Sequence, residues 1–453
     1  MKKIILMLLM TSVGMWVQAQ MSTIKGTVKP GSVRYKTIEL MRIENGEGKT
    51  IATTEIASDG TYGFLFKPSY EGFYAVGANS IMEGQFPVYL KPGDNAELHI
   101  DDVYATFKGM NTPENQTLGQ WQEQVKEVRF ISIFFNKSRG TYVDFYPALE
   151  SALGRKDAFK ASIKTPNSTF NTLMTKTVDV DMDFYALNFL STPRTAHPDS
   201  TFQKPEFYRH IAQKEKFKDD DVLKNIFAKR FLGMYGSYVR YQLKVEDDKE
   251  LMGYFGTDAQ RAVYVMDQEL RSIRSHDQYT AFVTRYGQYI TAPQHRTQID
   301  DIGAKLYESR VGAAASDFTY PDQDGKLVSL SGQKGKVVLI DVWATWCGPC
   351  KVEIPHLKKL EAEMEGKDVV IISVSIDEEK DKEKWKKMIK DEGLGGLQLF
   401  AGGWNSKITK DYKITGIPRF MVFDKQGNIV TIDAPRPSSP ELKALLEKEL
   451  KKK

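Results

Sequence analysis

Cysteine is almost missing from this chain: 453 residues hold two, Cys347 and Cys350. Two cysteines cannot build a multi-bridge secreted scaffold. Nor can they build a thiolate metal centre, which needs further Cys or His at ligand spacing. The nearest histidine, His356, falls on the same predicted helix and has no second ligand beside it. No metal is therefore expected. An excess of one sign of charge is also missing, with 63 Lys plus Arg against 59 Asp plus Glu. That balance argues against a nucleic-acid or strongly anionic partner. After the first 20 residues no apolar run reaches the roughly 20 residues of a membrane span. Internal repeats and low-complexity tracts are absent as well.

What is present begins with a sorting signal. Lys2 and Lys3 precede an apolar stretch from Ile4 to Val17, and Val17-Gln18-Ala19 offers small residues at cleavage positions. This pattern predicts a signal peptide over 1–19 with cleavage before Gln20. The alternative, an uncleaved anchor, would need a longer run. No cysteine follows the apolar stretch, so a lipoprotein is excluded and the expected location is the periplasm. Loss of Lys2 and Lys3 would take the net charge from +4 to +2.

The remainder, long enough for two to four domains of roughly 100–200 residues, changes pattern twice. Residues 20–112 read as β, with short segments such as Thr37–Met41, Tyr62–Phe66 and Glu97–Ile100. Turn signals at Asn45-Gly46, Asp59-Gly60 and Pro92-Gly93 separate them, which predicts a small sandwich or barrel. Residues 113–310 read as mostly helical. Asp219–Asp221 precede an amphipathic run from Val222 to Leu243, and Thr257-Asp258 precede another from Ala259 to Ile273. Its four histidines (His197, His210, His276 and His295) share no ligand spacing, and its aromatic stripes read as core. Residues 311–453 alternate strand and helix: an apolar strand over Lys336–Val342, a helix over 350–364, strands at Val369–Ile376, Leu397–Phe400 and Phe420–Phe423, and a last helix from Ser439-Pro440. The expected fold is multidomain: an N-terminal all-β sandwich-like domain, a central helical region, and a C-terminal α/β domain.

The chemistry concentrates at Cys347-Gly348-Pro349-Cys350. A bridge across two residues closes almost no loop, so a structural staple is a weak reading. Disulfide exchange needs a thiolate, and a cysteine at a helix N-terminus meets unpaired N–H groups and the favourable end of the dipole. Cys347 is thus the expected exposed nucleophile and Cys350, one turn in, the resolving thiol. Pro349 removes an N–H and stiffens the turn.

The segment Val338-Leu339-Ile340-Asp341-Val342-Trp343-Ala344-Thr345-Trp346-Cys347-Gly348-Pro349-Cys350-Lys351 resembles the active-site segment of thioredoxins, and residues 314–450 resemble the TlpA/ResA-like exported thiol–disulfide oxidoreductases. The β-region resembles the domain found ahead of thioredoxin domains in Bacteroidetes-type exported proteins. The resemblance implies a thioredoxin fold for 311–453 and a redox Cys347–Cys350 disulfide. Asp341 then matches the buried acid that passes a proton to the resolving thiol. Glu353 matches the acidic residue of the exported branch, either a second acid–base group or a plain surface glutamate. Trp346 would shield the disulfide and Trp343 would pack. Thr415-Gly416-Ile417-Pro418 resembles the cis-proline loop, which implies that Ile417 and Pro418, with Trp346, Gly348 and Pro349, contact the substrate chain. Two positions depart from the pattern. Arg419 replaces a threonine, and whether it points at the thiols or at solvent stays open. Ser373 falls where thioredoxins place a lysine beside the buried acid.

These features predict an exported protein-disulfide reductase without a cofactor. Its partners would be disulfide-containing clients and a membrane-borne thiol protein that supplies electrons. A dithiol oxidase or isomerase is the alternative, as is a client-binding protein with the redox domain as accessory. A peroxiredoxin would have Thr three residues before its cysteine, where this chain has Ala344.

Overall fold

A computed structural model of the chain describes residues 21–29, 35–80, 84–101, 103–193, 196 and 204–452. The expected signal segment, residues 1–19, and His197 lie outside the described residues. The chain divides into two compact units, one ending at Gln268 and one beginning at Glu269.

The first unit opens with eight strands: β1 (Ser22–Thr27), β2 (Thr37–Glu44), β3 (Glu47–Glu55), β4 (Thr61–Phe66), β5 (Gly72–Gly77), β6 (Gln85–Leu90), β7 (Asn95–Ile100) and β8 (Ala105–Phe107). They form two four-stranded sheets, ordered β4-β1-β7-β8 and β3-β2-β5-β6. Inward residues of both, among them Ile24, Leu40, Phe64, Val88 and Leu98, share one core, as in a sandwich. β5 breaks the alternation expected of a half-wet sheet, because all six of its residues are buried. A helix covers its other face: Phe73 and Tyr89 meet Phe170 edge to face, with centroids 6.2 and 4.8 Å away.

Helices fill the rest of this unit. The longest, Ser168–Ser191, is buried on most sides and carries two inward carboxyls. Asp181 accepts from Trp121 Nε1 at 2.9 Å and Asn225 Nδ2 at 2.8 Å; Asp183 pairs with Lys216 at 2.6 Å. Burial pushes both acids up to about 6. The single run expected from Val222 to Leu243 is instead a 3₁₀ turn, Asp220–Lys224, and a helix, Ala228–Gln242. The break falls at Asn225, which is extended; Asp181 holds its amide and its Oδ1 accepts from Phe227 N.

The second unit begins with helices that include His276–Tyr286 and Pro293–Leu306, followed by a hairpin, β9 (Thr319–Pro321) and β10 (Leu327–Ser329). Five further strands, β11 (Val337–Trp343), β12 (Val369–Ser375), β13 (Leu397–Phe400), β14 (Arg419–Phe423) and β15 (Ile429–Thr431), form a sheet ordered β13-β12-β11-β14-β15. β11 is central, parallel to β12 and antiparallel to β14. Its seven residues are all buried, which explains the near-continuous apolar run. Val338, Ile340 and Val342 enter one core. Val337 and Leu339 enter the other, against Leu357 and Leu360 of the helix Gly348–Met364 and Leu442 and Leu446 of the helix Pro440–Leu450. Period-two geometry therefore turns Asp341 toward the Gly348–Met364 helix. This is the α/β unit the sequence predicts. Among the described residues no helix is long and apolar enough to cross a membrane.

Candidate active site

β11 delivers the chain to the start of the Gly348–Met364 helix, hereafter the redox helix. Cys347 is its N-cap, and the Cys347 sulfur accepts the Cys350 N–H at 3.1 Å. Pro349 sits in the first turn, where its missing N–H would have had no helical acceptor. Cys347 and Cys350 are joined as a disulfide with Cα atoms 5.3 Å apart. Both are 4% exposed, so the expected exposed Cys347 is not found in this oxidised form. Its sulfur turns inward, bonded to Cys350 and capping the helix. Gly348 and Pro349 are exposed beside it.

The loop between β11 and the redox helix is held by a residue that sequence reasoning missed. Asp377, fully buried, accepts from Thr345 N at 2.9 Å, Thr345 Oγ1 at 2.8 Å and Ser375 Oγ at 2.7 Å. Charge-assisted bonds of this kind are the strong ones. The only signal for it in sequence is an acid directly after an apolar strand. Asp377→Ala would leave three buried donors without an acceptor, at a cost of about 3 kcal/mol. Denaturant unfolding of the oxidised full chain measures that loss, and a change under 1 kcal/mol would refute the clamp.

Behind the disulfide lies a cavity of about 20 Å³ lined by Asp341, Cys350, Glu361, Ser373 and Gln398. That volume admits about one water molecule. Asp341 faces it with an Oδ1 that is buried and has no hydrogen-bond partner among the described residues. Burial above all, then repulsion from Glu353 and Glu361, pushes the Asp341 carboxyl up to about 8. Ser373 is its register partner on β12, so no lysine offsets the carboxylate from that strand.

Glu353 is buried, not a surface glutamate. It accepts from Ser438 N at 2.9 Å and Ser438 Oγ at 3.0 Å, with Arg436 3.9 Å away. Its bonds therefore tie the redox helix to the loop before the last helix, while its charge acts on Asp341. Arg419 does not point to solvent. It is buried, donates to Ile432 O at 3.2 Å and pairs with Asp433 at 3.3 Å. Gln278 Nε2 donates to the same Asp433, so Arg419 ties β14 to the Ile432–Asp433 segment.

The peptide bond between Ile417 and Pro418 is cis, and Ile417 packs against the apolar cluster that contains both cysteines. Trp343 is buried in that cluster. Trp346, by contrast, is 51% exposed. Its ring lies 6.5 Å from Trp404, which is 41% exposed and belongs to the loop after β13. Trp404 was not singled out from sequence. Among the described residues no group of three or more His, Cys, Asp or Glu is arranged to hold a metal ion.

Residues 310–446 match the family model described as Redoxin. The chain is 30% identical over 155 residues to a protein named thiol-disulfide oxidoreductase ResA from Bacillus cereus, covering 32% of this chain and 87% of that one. It is 46% identical over 77 residues to the protein of the same name from Oceanobacillus iheyensis, covering 16% of this chain and 39% of that one. Among solved structures, the thioredoxin domain of a thiol-disulfide oxidoreductase from Bacteroides vulgatus is 31% identical, with 30% of this chain and 96% of that one covered and a TM-score of 0.28.

Proposed function

We propose that this chain, which belongs to the ResA-like thiol–disulfide oxidoreductases, reduces disulfides of client proteins in the periplasm through the Cys347/Cys350 dithiol. The observation that carries the reading is a sulfur pair at a helix N-cap with a protonatable, buried Asp341 lining the same small cavity as Cys350. Cys347, as thiolate, attacks one sulfur of the client disulfide, and the other client sulfur leaves and takes its proton from solvent. Cys350 gives its own proton to the Asp341 carboxylate and attacks the Cys347 sulfur, and Asp341 returns that proton to the second client sulfur as it leaves. The client gains two electrons and two protons; the protein ends as the disulfide described above. Burial holds the Asp341 carboxyl far above the ordinary carboxylate range, which makes it a stronger base toward the Cys350 thiol than a solvated carboxylate would be.

Glu353 supports the carboxyl's high pKa. Trp346, Gly348, Pro349, Ile417 and Pro418 frame the route by which a client reaches the sulfurs. Residues 311–453 are read as the redox domain, 20–112 and 113–310 as the regions ahead of it. Export by the first 19 residues and resetting by a membrane-borne thiol protein complete the proposal.

Equilibration of the full-length protein with glutathione redox buffers tests the direction. The expected potential lies near the thioredoxin value of about −270 mV, and a value near that of DsbA, about −120 mV, would make the protein an oxidant and overturn the reductase reading.

A further inference from the structure

Trp343, Trp385, Phe400 and Tyr412 of the redox unit are each no more than 3% exposed. Trp346 and Trp404 are exposed instead, at 51% and 41%, and they lie together, their rings 6.5 Å apart and tilted by 40°. That separation is at the outer limit of direct ring contact. The two rings are therefore tilted and not stacked on each other.

The position of Trp404 is built, not incidental. Thr409 Oγ1, buried, donates to the Trp404 carbonyl at 2.7 Å, and Ser406 N donates to Gly403 O at 3.2 Å. The turn needs Gly402 and Gly403, whose φ angles of +78° and +106° disfavour other residues. The backbone is thus fixed while the indole stays half in water. An ordered, exposed aromatic pair loses little side-chain entropy on binding, which is how such residues become binding anchors.

We propose that Trp346 and Trp404 form a clamp for an aromatic or large aliphatic side chain next to the client's disulfide cysteine. The inference rests on the client-reductase reading and gives it a substrate class: disulfides flanked by an apolar residue, in an extended stretch of chain. Continuity with the redox site selects this occupant. Trp346 is bonded to Cys347 in sequence, so a client sulfur that reaches Cys347 brings its neighbouring residue to the indole pair.

The test uses the full-length protein, reduced and freed of reductant. Two peptides differ only in Phe or Ser beside their single cysteine, which is capped by glutathione as a mixed disulfide. The dithiol supplies both electrons; the products are the peptide thiol, glutathione and the protein disulfide. Chromatography follows the release of peptide thiol. The expected Phe-to-Ser rate ratio is about ten in the wild type, since a good aromatic anchor is worth at least a factor of this size. Trp404→Ala brings the ratio to about one, Trp404→Phe restores most of it, and Leu327→Ala, a change at another exposed apolar residue of this unit, keeps it at the wild-type value. A wild-type ratio near one, or a ratio that survives Trp404→Ala, overturns the clamp. So does a concentration-dependent dimer that Trp404→Ala dissolves, because a second copy would then cover the pair. If neither peptide nor oxidised glutathione is reduced at all, the client-reductase reading fails first and takes the clamp with it.

Discussion

Cys350→Ala is expected to convert the protein from a turnover catalyst into a covalent trap. With the resolving sulfur removed, the mixed disulfide at Cys347 has no internal nucleophile to release it. Full-length Cys350→Ala exposed to a disulfide-containing client should therefore accumulate a near-stoichiometric adduct, visible as a band that collapses under reductant. The wild type should show almost none. Cys347→Ala should lose exchange by at least roughly a thousandfold, because residues that act as a unit fail together. The assignment follows from position: Cys347 caps the helix and takes the Cys350 N–H, whereas Cys350 lines the cavity with Asp341. An adduct on Cys347→Ala and none on Cys350→Ala would reverse the two roles.

The second large effect is thermodynamic. Asp341 has a folded-state carboxyl near 8 against an ordinary value of 3.8. Below 3.8 both folded and unfolded chains hold the proton, and Asp341 costs nothing. Between 3.8 and 8 the unfolded chain has released the proton and the folded one has kept it, so stability falls as pH rises. Above 8 the loss is complete, at up to about 6 kcal/mol. Asp341→Asn removes the titration. Denaturant titrations of the oxidised protein, with amide exchange of β11 as the local probe, should show the wild type losing stability from pH 4 to pH 8 relative to the variant. Near pH 4 the two should differ little. Parallel pH profiles would mean that the carboxyl is not held protonated.

Much of the redox unit is local in sequence and therefore readable. β11, the cysteines and the redox helix form one uninterrupted segment, and an apolar strand followed by a helix-start signal needs no distant information. The proline after Ile417 is equally legible. Asp377 and Trp404 are different. Each lies about 30 or more residues from the loop or ring it meets, and neither carries a periodic signature, so only the folded sheet brings them to the site. The orientation of Arg419 was open for a related reason. A residue at a strand start can turn either way, and the Ile432 carbonyl and Asp433 decided it. In the first unit, β5 was not picked out from sequence, because a strand covered on both faces carries no alternation. Its second cover is Phe170, nearly a hundred residues on. The helix expected over 222–243 fails at Asn225 because periodicity does not register a buried carboxyl that captures one amide.

The short spacing of the cysteines has one more consequence. A bridge with a sequence separation of three restricts the unfolded chain very little, so the unfolded protein treats its two redox states almost alike. Reduction and unfolding then close a thermodynamic cycle with a single unknown. Whatever preference for thiols over disulfide the folded unit has beyond that of the unfolded pair must reappear as a difference in unfolding free energy between reduced and oxidised protein. For this two-electron couple, about 30 mV corresponds to about 1.4 kcal/mol. Two denaturation curves, one for each redox state, thus weigh the electron affinity of the site without an electrode.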